Sequence, residues 1–487
     1  MKPTDRRSFV KSAGYGVSLF YIAKTSWAQT SPGDTIHAGV IGFNGRGRGH
    51  ISGLLGLQHK GVRLTSLCDV DSSVLARGIS DLKKKKVTAK GYTDLRKMLE
   101  DKDLDVVTIA TPNHWHSLAA IWAIQAGKDV YVEKPVSHNV WEGRQVVNAA
   151  RKYRKIVQTG TQSRSSTAIQ KAVKWTQDGG LGKIEISRGL CYKLRSSIGK
   201  TNGPHPVPAH IDYDIWCGPA PLKAPTRNSR RHGPIHYDWH WMWDYGNGDL
   251  GNQGIHQMDI ARWFLGKPHL APKVWSLGGR LGYVDDAETP NTQIVYHDYE
   301  DSQLIFEVRG LPASAKARRR PQFMGAEIGV VVHCEGGHVL VSNTNGKVQA
   351  FDKKGKEVKT FSGSGNHFDN FISAVRSRNP EDLNAEILEG HLSSALCHTG
   401  NISYRLGEQT DPDTIRKTIV NDPGAAATFD RLVDHLKKNN VDPAKTKLSL
   451  GPTLKMNTDT ERFIGNSAAN KLLTREYREP YVVPLIG

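Results

Sequence analysis

The sequence predicts a parallel, doubly wound α/β sheet for its amino-terminal half, on three observations. Buried-strand runs alternate with helical stretches of roughly 10–15 residues. The first run stops at a glycine-rich turn, and the next one stops at an acidic residue. Ligands on such a sheet bind beyond the carboxyl ends of the strands, where both features lie.

Taken in order, residues 36–42 form an apolar run that halts at glycine, and 51–57 carry the helix after it. Residues 62–68 are the next strand and end at Asp69; helices follow around 73–83 and 95–99. The remaining strands are 105–110, 129–132 and 156–159, separated by helical patterns over 115–126 and 141–152. This unit spans 32–158 and leaves 159–487 for a second domain.

The turn Gly42-Phe43-Asn44-Gly45-Arg46-Gly47, read as a dinucleotide fingerprint, puts Gly42, Asn44 and Gly47 at the three glycine positions. The middle one is substituted, but asparagine tolerates positive φ better than most residues, so the turn survives. Gly45 keeps the backbone open for a pyrophosphate at the helix N-terminus. Phe43 and Arg46 complete the contact set. Asp69, 22 residues beyond Gly47, would accept hydrogen bonds from ribose hydroxyls and repel a 2′-phosphate, which favours NAD over NADP.

Thr111, Asn113 and His116 open the helix after the strand at 105–110 and are placed to close over that cofactor. Glu133-Lys134-Pro135 follows the strand at 129–132. A lysine at a strand end in the crevice meets substrate and nicotinamide together, and partial desolvation lowers its pKa toward the range of a proton shuttle. Pro135 is a candidate cis residue that would fix the lysine's pose.

Arg6-Arg7-Ser8-Phe9-Val10-Lys11, a modestly apolar stretch and a small-x-small site ending at Ala28 read as a twin-arginine export signal over residues 1–28. It holds a net +4 of the chain's +18 and leaves about +14. The remaining basic residues are dispersed without an aromatic ladder, which argues against nucleic acid and for a solvated or acid-attracting surface. No apolar run reaches the roughly 18 residues of a membrane span. With 11 Trp, 15 Tyr and 12 Phe in 487 residues, disorder is excluded. The five cysteines, odd in number and without CxxC spacing, give neither a metal site nor a disulfide framework.

The Gly42 turn, Cys68-Asp69-Val70-Asp71, Ala110-Thr111-Pro112-Asn113-His114, Glu133-Lys134-Pro135 and the segment 251–259 together resemble the Gfo/Idh/MocA oxidoreductases. This is the family of glucose-fructose oxidoreductase, inositol dehydrogenase and the rhizopine-catabolism protein. Asp214-Ile215-Trp216-Cys217-Gly218-Pro219-Ala220, the segment 246–256 and the tail to Pro484 resemble its exported bacterial branch. The resemblance implies a Rossmann domain followed by an α+β domain with an open, mostly antiparallel sheet, helices on one face, and a homo-oligomer formed through the exposed sheet face. It implies NAD between the domains, Lys134 touching cofactor and substrate, and substrates among sugars, polyols and their derivatives. Gln162 falls where the family's cofactor-facing residues emerge, and Arg164, Tyr192 and Arg195 where its substrate-facing ones do.

Family catalysis often pairs an aspartate with a histidine four residues later, on one helix face. Here the histidine is His256 and its partner position is Asn252, which cannot accept a proton. Either Asn252 only orients His256, or Asp249 or Asp259 supplies the charge, or the proton chemistry differs. The segment 237–245 offers Trp239 and Trp243 as platforms for a sugar ring and His240 as a further acid or base. His391 and His398, seven apart, suit packing better than a metal site with His240 or His256, so no metal is assigned.

An exported protein has little free nicotinamide around it, so the cofactor is expected to stay bound and be recycled. Two enzymatic functions meet that condition: an oxidoreductase that oxidises one saccharide hydroxyl and reduces a second acceptor, and a redox-neutral glycosidase or lyase acting through a 3-keto sugar. A third reading, from a different class, is a non-catalytic saccharide-binding or regulatory protein that keeps the cofactor as a structural element. The first asks for the fewest unobserved groups.

Overall fold

The structure is a computed structural model that describes residues 35–226, 228–229, 233–342 and 347–487. The export signal expected over 1–28 lies outside the described residues. None of the described helices is long and apolar enough to cross a membrane.

The amino-terminal sheet contains β1 (Ile36–Ile41), β2 (Val62–Cys68), β3 (Lys90–Tyr92), β4 (Val106–Ile109), β5 (Asp129–Val132) and β6 (Val157–Thr159). They run in the order β3-β2-β1-β4-β5-β6, all parallel. This is the dinucleotide-binding order, whose switch point falls between β1 and β4. The helices are α1 (Gly47–Leu55), α2 (Ser72–Lys84), α3 (Leu95–Leu99), α4 (His116–Gln125) and α5 (Val140–Lys152). Each predicted strand and helix of this unit is present; β3, three residues with two of them exposed, has too little apolar pattern to be read from sequence.

Two segments far along the chain complete this domain. Phe371, Ile372 and Val375, on α-helix His367–Ser377, pack with Val40, Leu54 and Leu67. Tyr481, Val483 and Ile486 from the tail join Trp115, Ile121 and Val146 on the other side.

The second sheet is mixed. Its path runs Glu357–Phe361, Val348–Asp352, Gly337–Val341, Ile328–Cys334, Ile184–Cys191, Gln303–Arg309, Thr292–Asp298, Lys273–Gly279, Leu448–Leu450 and Glu408–Thr410. All its pairs are antiparallel except that of Ile184–Cys191 with Gln303–Arg309. Side chains alternate between its faces. Cys191, Val295, Leu304 and Phe306 pack under helices Gly254–Leu265 and Ile387–Arg405, toward the first domain. Ile294, Tyr296 and Ile305 point the opposite way, beneath Phe429, Leu432 and Leu436 of helix Pro423–Lys438. Helices therefore cover part of both faces, where the resemblance implied one.

Candidate active site

The switch point opens into a cleft of about 340 Å³ lined by both domains. Its phosphate end is built by the turn after β1. Gly42 has φ +76°, and a side chain there would meet Thr111 and Ala110 backbone at 2.9–3.0 Å. A Cβ at Gly47 would lie 2.0 Å from the Gly42 carbonyl oxygen, so glycine lets α1 pack against the strand end. A Cβ at Gly45 meets nothing within 4 Å. Asn44 keeps negative φ, so its tolerance of the left-handed region is not what preserves the turn.

Asp69 holds this turn and lines the cleft at once. It accepts from the Phe43 amide at 3.0 Å and the Asp71 amide at 3.1 Å. Burial raises its carboxyl above the ordinary value against those two bonds. Asp71 caps α2 and accepts from His236 Nε2 at 2.9 Å, when that nitrogen carries the proton. The segment around His236 thereby closes the adenosine end, a contact with no signature in sequence.

Open space above Gly45, the α1 N-terminus, the carboxylate of Asp69 and the buried Thr111 Oγ1, which has no hydrogen-bond partner among the described residues, suit a dinucleotide. Gly45→Val is expected to leave the melting temperature unchanged and to weaken NAD retention at least tenfold, measured as nucleotide released per mole of denatured protein. Unchanged retention would refute this placement of the pyrophosphate.

At the other end Glu133 gathers a network. It accepts from Arg46 Nε at 2.8 Å, Gln162 Nε2 at 3.0 Å and His50 Nε2 at 3.1 Å. Burial would raise the Glu133 carboxyl, but His50, Arg46 and Lys134 hold it well below its usual value. Gln162 thus positions Glu133 and Tyr131 and is absent from the cleft wall. His116 lies on the wall, with its ring nitrogens on the carbonyls of Pro135 at 2.6 Å and Thr111 at 2.8 Å. Asn113 donates to Asn247 Oδ1 at 3.0 Å.

The peptide Lys134-Pro135 is cis. Lys134 Nζ donates to the backbone carbonyl of Asn252 at 2.7 Å, so Asn252 contributes its backbone, where the sequence suggested its amide. Burial lowers the Lys134 pKa below 10.5, Glu133 opposes this, and Arg46, Lys193 and Arg195 add to it. Lys193 Nζ donates to Gln253 Oε1 at 3.0 Å, one residue along the same segment. His256 is absent from the cleft wall, and its Nδ1 is buried with no hydrogen-bond partner among the described residues. Burial, then Lys134, brings His256 down to about 3, and His240, stacked on Trp239 at 3.7 Å, is also about 3.

Neither proposed carboxylate serves His256. Asp249 binds Arg195 at 2.5 Å and 2.8 Å. Asp259 binds Arg164 at 2.9 Å and accepts from Ser393 Oγ at 2.7 Å. Arg164 and Asp259 form an ion pair in the second domain's core, side chains 5% and 0% exposed, and cannot face a substrate. Tyr192 is corrected likewise: its hydroxyl donates to Glu307 at 2.7 Å on the sheet's opposite face. Strand alternation turns Lys193 to the site instead. Arg195 stays beside the site as the partner of Asp249 and Tyr237. Trp239 and His240 line the cofactor cleft, whereas Trp243 lines a separate cavity. His391 binds Glu461 at 2.9 Å and His398 faces Ser137 at 3.2 Å. All five cysteines are buried as free thiols.

The segment 214–220 has a structural role. The Trp115 indole donates to the Ile215 carbonyl at 2.8 Å, and His114 Nε2 lies 2.9 Å from that of Trp216. Gly218, at φ +49°, leaves room for the Trp115 ring, which a Cβ would meet at 2.3 Å. The motif is thereby clamped onto the cleft wall.

Residues 36–161 match the oxidoreductase family with an NAD-binding Rossmann fold, and 163–441 match that family's C-terminal alpha/beta domain. The chain belongs to the Gfo/Idh/MocA oxidoreductase family. Its amino-terminal domain is that family's NAD-binding unit, as the turn and Asp69 require. A glycosyl hydrolase family 109 protein of Shewanella baltica is 32% identical over 179 residues, covering 32% of this chain and 39% of the relative. An inositol 2-dehydrogenase of Salmonella typhimurium is 29% identical over 182 residues, covering 37% and 53%. The chain therefore matches 39% and 53% of the length of these curated relatives. Among solved structures, levoglucosan dehydrogenase with NADH and levoglucosan superimposes with a TM-score of 0.56 at 17% identity, covering 74% of this chain and 95% of that one. The WlbA dehydrogenase of Bordetella pertussis, with NADH and UDP-GlcNAcA, gives 0.54 at 19%, covering 74% and 94%. These likenesses are of fold.

Proposed function

We propose that this protein oxidises a hydroxyl of a sugar, polyol or glycoside with a tightly held NAD that a second substrate restores. The observation that carries the reading is Lys134 Nζ at the end of β5, on the wall of the cofactor cleft and bonded to the Asn252 carbonyl, with Lys193 held one residue along the same segment. Bound NAD supplies the hydride acceptor. The chain's own part is to seat the hydroxyl at Lys134 and take its proton as the C–H is broken.

A general base works best with a pKa near the working pH. His256, at about 3, is a weak acceptor, whereas Lys134 is lowered toward that range. Lys134 therefore takes the proton, and neutral His256 hydrogen-bonds the substrate oxygen. Export through the twin-arginine signal accounts for a recycled cofactor, since the surroundings supply none.

The glycosyl hydrolase names of several relatives favour a second reading, in which oxidation at C3 acidifies the neighbouring C–H, elimination breaks the glycosidic bond and releases the aglycone, water adds to the resulting enone, and re-reduction at C3 by the same nucleotide returns the sugar. One experiment separates the two. Nucleotide released from the denatured protein is identified by mass spectrometry and absorbance before and after incubation with a panel of sugars and glycosides. NAD that turns to NADH with one sugar and is discharged by another establishes the oxidoreductase. NAD that stays oxidised while a glycoside is cleaved establishes the redox-neutral enzyme. Absence of bound nucleotide refutes recycling.

A further inference from the structure

A second cavity, of about 250 Å³, lies beyond Asn247, which lines it and accepts from Asn113 of the cofactor cleft. Its polar wall comes from three distant parts of the chain: His138 just after Lys134-Pro135, Arg405 at the end of helix Ile387–Arg405, and Lys471 and Arg475 of the tail. Trp243, Ile402 and Leu472 form an apolar wall.

The chemistry of the polar wall is one-sided. Arg475 Nη1 lies 3.3 Å from His138 Nδ1, and a guanidinium only donates, so Nδ1 is the acceptor. Burial, then Arg475, holds the His138 pKa well below its ordinary value, so the ring carries one proton, on Nε2. That Nε2–H is buried and has no acceptor among the described residues. The Arg405 guanidinium lies over the Trp243 ring at 5.1 Å and makes no hydrogen bond or ion pair among the described residues, and the Lys471 ammonium makes none either. Asp244, the carboxylate in the lining, is engaged by Lys223 at 2.6 Å, its backbone carbonyl accepts from Arg475 at 2.9 Å, and with Glu288 it favours the charged form of Arg405. The backbone of His138 is already satisfied, its amide by Glu142 and its carbonyl by Asn247. What remains is the buried Nε2–H of His138 with the Arg405 and Lys471 head groups, donors that have no hydrogen-bond acceptor among the described residues, an arrangement that a charged oxygen completes.

We propose that this cavity is an oxyanion-binding site that takes the carboxylate or phosphate of a small sugar acid or sugar phosphate, its carbon skeleton against Trp243 and Leu472. The site is independent of the catalytic reading, because none of its donors lies in the cofactor cleft.

The test is isothermal titration of the purified full chain with glucuronate, with inorganic phosphate and with glucose. At least one anion is expected to bind saturably and glucose not to bind here. Arg475→Gln, and separately the double substitution Arg405→Gln with Lys471→Gln, are expected to weaken that anion at least tenfold, with melting temperature and nucleotide content unchanged. The double variant removes exposed side chains and so keeps the test free of folding effects. Tighter glucuronate assigns the site to a sugar acid, and tighter phosphate assigns it to a phosphorylated one. If neither anion binds, or if both variants bind as the parent does, the proposal is overturned, while the cofactor reading stands.

Discussion

Lys134→Ala lowers kcat by about 10²–10⁴, the usual contribution of a positioned acid or base, and leaves NAD bound and the fold intact. The fold survives because, among the described residues, the side chain makes one hydrogen bond, to the Asn252 carbonyl, from the wall of the cleft. Cofactor retention survives because the phosphate end rests on the Gly42 turn and Asp69. His256→Ala costs less, since its neutral ring only donates to or accepts from the substrate oxygen. The pH profile separates this role from a merely structural one. Burial, Arg46, Lys193 and Arg195 all favour loss of the Lys134 proton, so the rate rises with pH through an inflection below the ordinary lysine value. Lys193→Gln removes one of those cations, and the inflection moves up toward that value. A Lys193→Gln profile that does not move, or a Lys134→Ala enzyme within threefold of the parent, defeats the assignment.

The same region shows what a sequence conveys and what it withholds. The Gly42 turn, Asp69 and Lys134 are legible because they sit at strand ends, where local apolar pattern marks the position and chain order marks the crevice. Tyr192 and Lys193 are harder. Both lie just past the strand Ile184–Cys191, and period-two alternation puts neighbours on opposite faces. The sequence shows the alternation, but which face meets the cofactor depends on packing with helix Gly254–Leu265, which no local pattern encodes. Trp243 fails for a related reason: Gly246 folds tightly against the His240 carbonyl, where a Cβ would lie 2.5 Å away, and Trp239 and Trp243 end on different cavities. His50, His236 and the tail residues join the site or its domain over separations of 83, 165 and more residues. Residues that act only through such long-range contacts carry no periodicity of their own.

Asp259 is the sharpest case, because it stands three residues after His256, within helical reach of it. Asp259→Ala instead destabilises the second domain by about 3 kcal/mol and leaves the substrate KM within twofold of the parent. The reason lies in what the carboxylate faces. It closes an ion cluster in which buried Arg164 hydrogen-bonds Asp259 and forms an ion pair with the part-exposed Glu389, each at 2.9 Å, and Arg262 bonds Glu389 and, at 3.0 Å, Ser393. Removing one partner of a buried pair leaves a desolvated charge uncompensated, which costs about 3–5 kcal/mol. Glu389 still holds Arg164, which puts this site at the lower end. Asp259→Asn keeps an acceptor for Arg164 but no charge, and falls between parent and alanine variant. Calorimetry of the intact protein reads the loss as a lower melting temperature for the transition of the second domain. If Asp259 served the imidazole of His256, both variants would flatten the pH profile of kcat with little change in melting. The helix Gly254–Leu265 rules that out by geometry: it turns Asp259 onto Arg164 and Ser393, which take up both carboxylate oxygens.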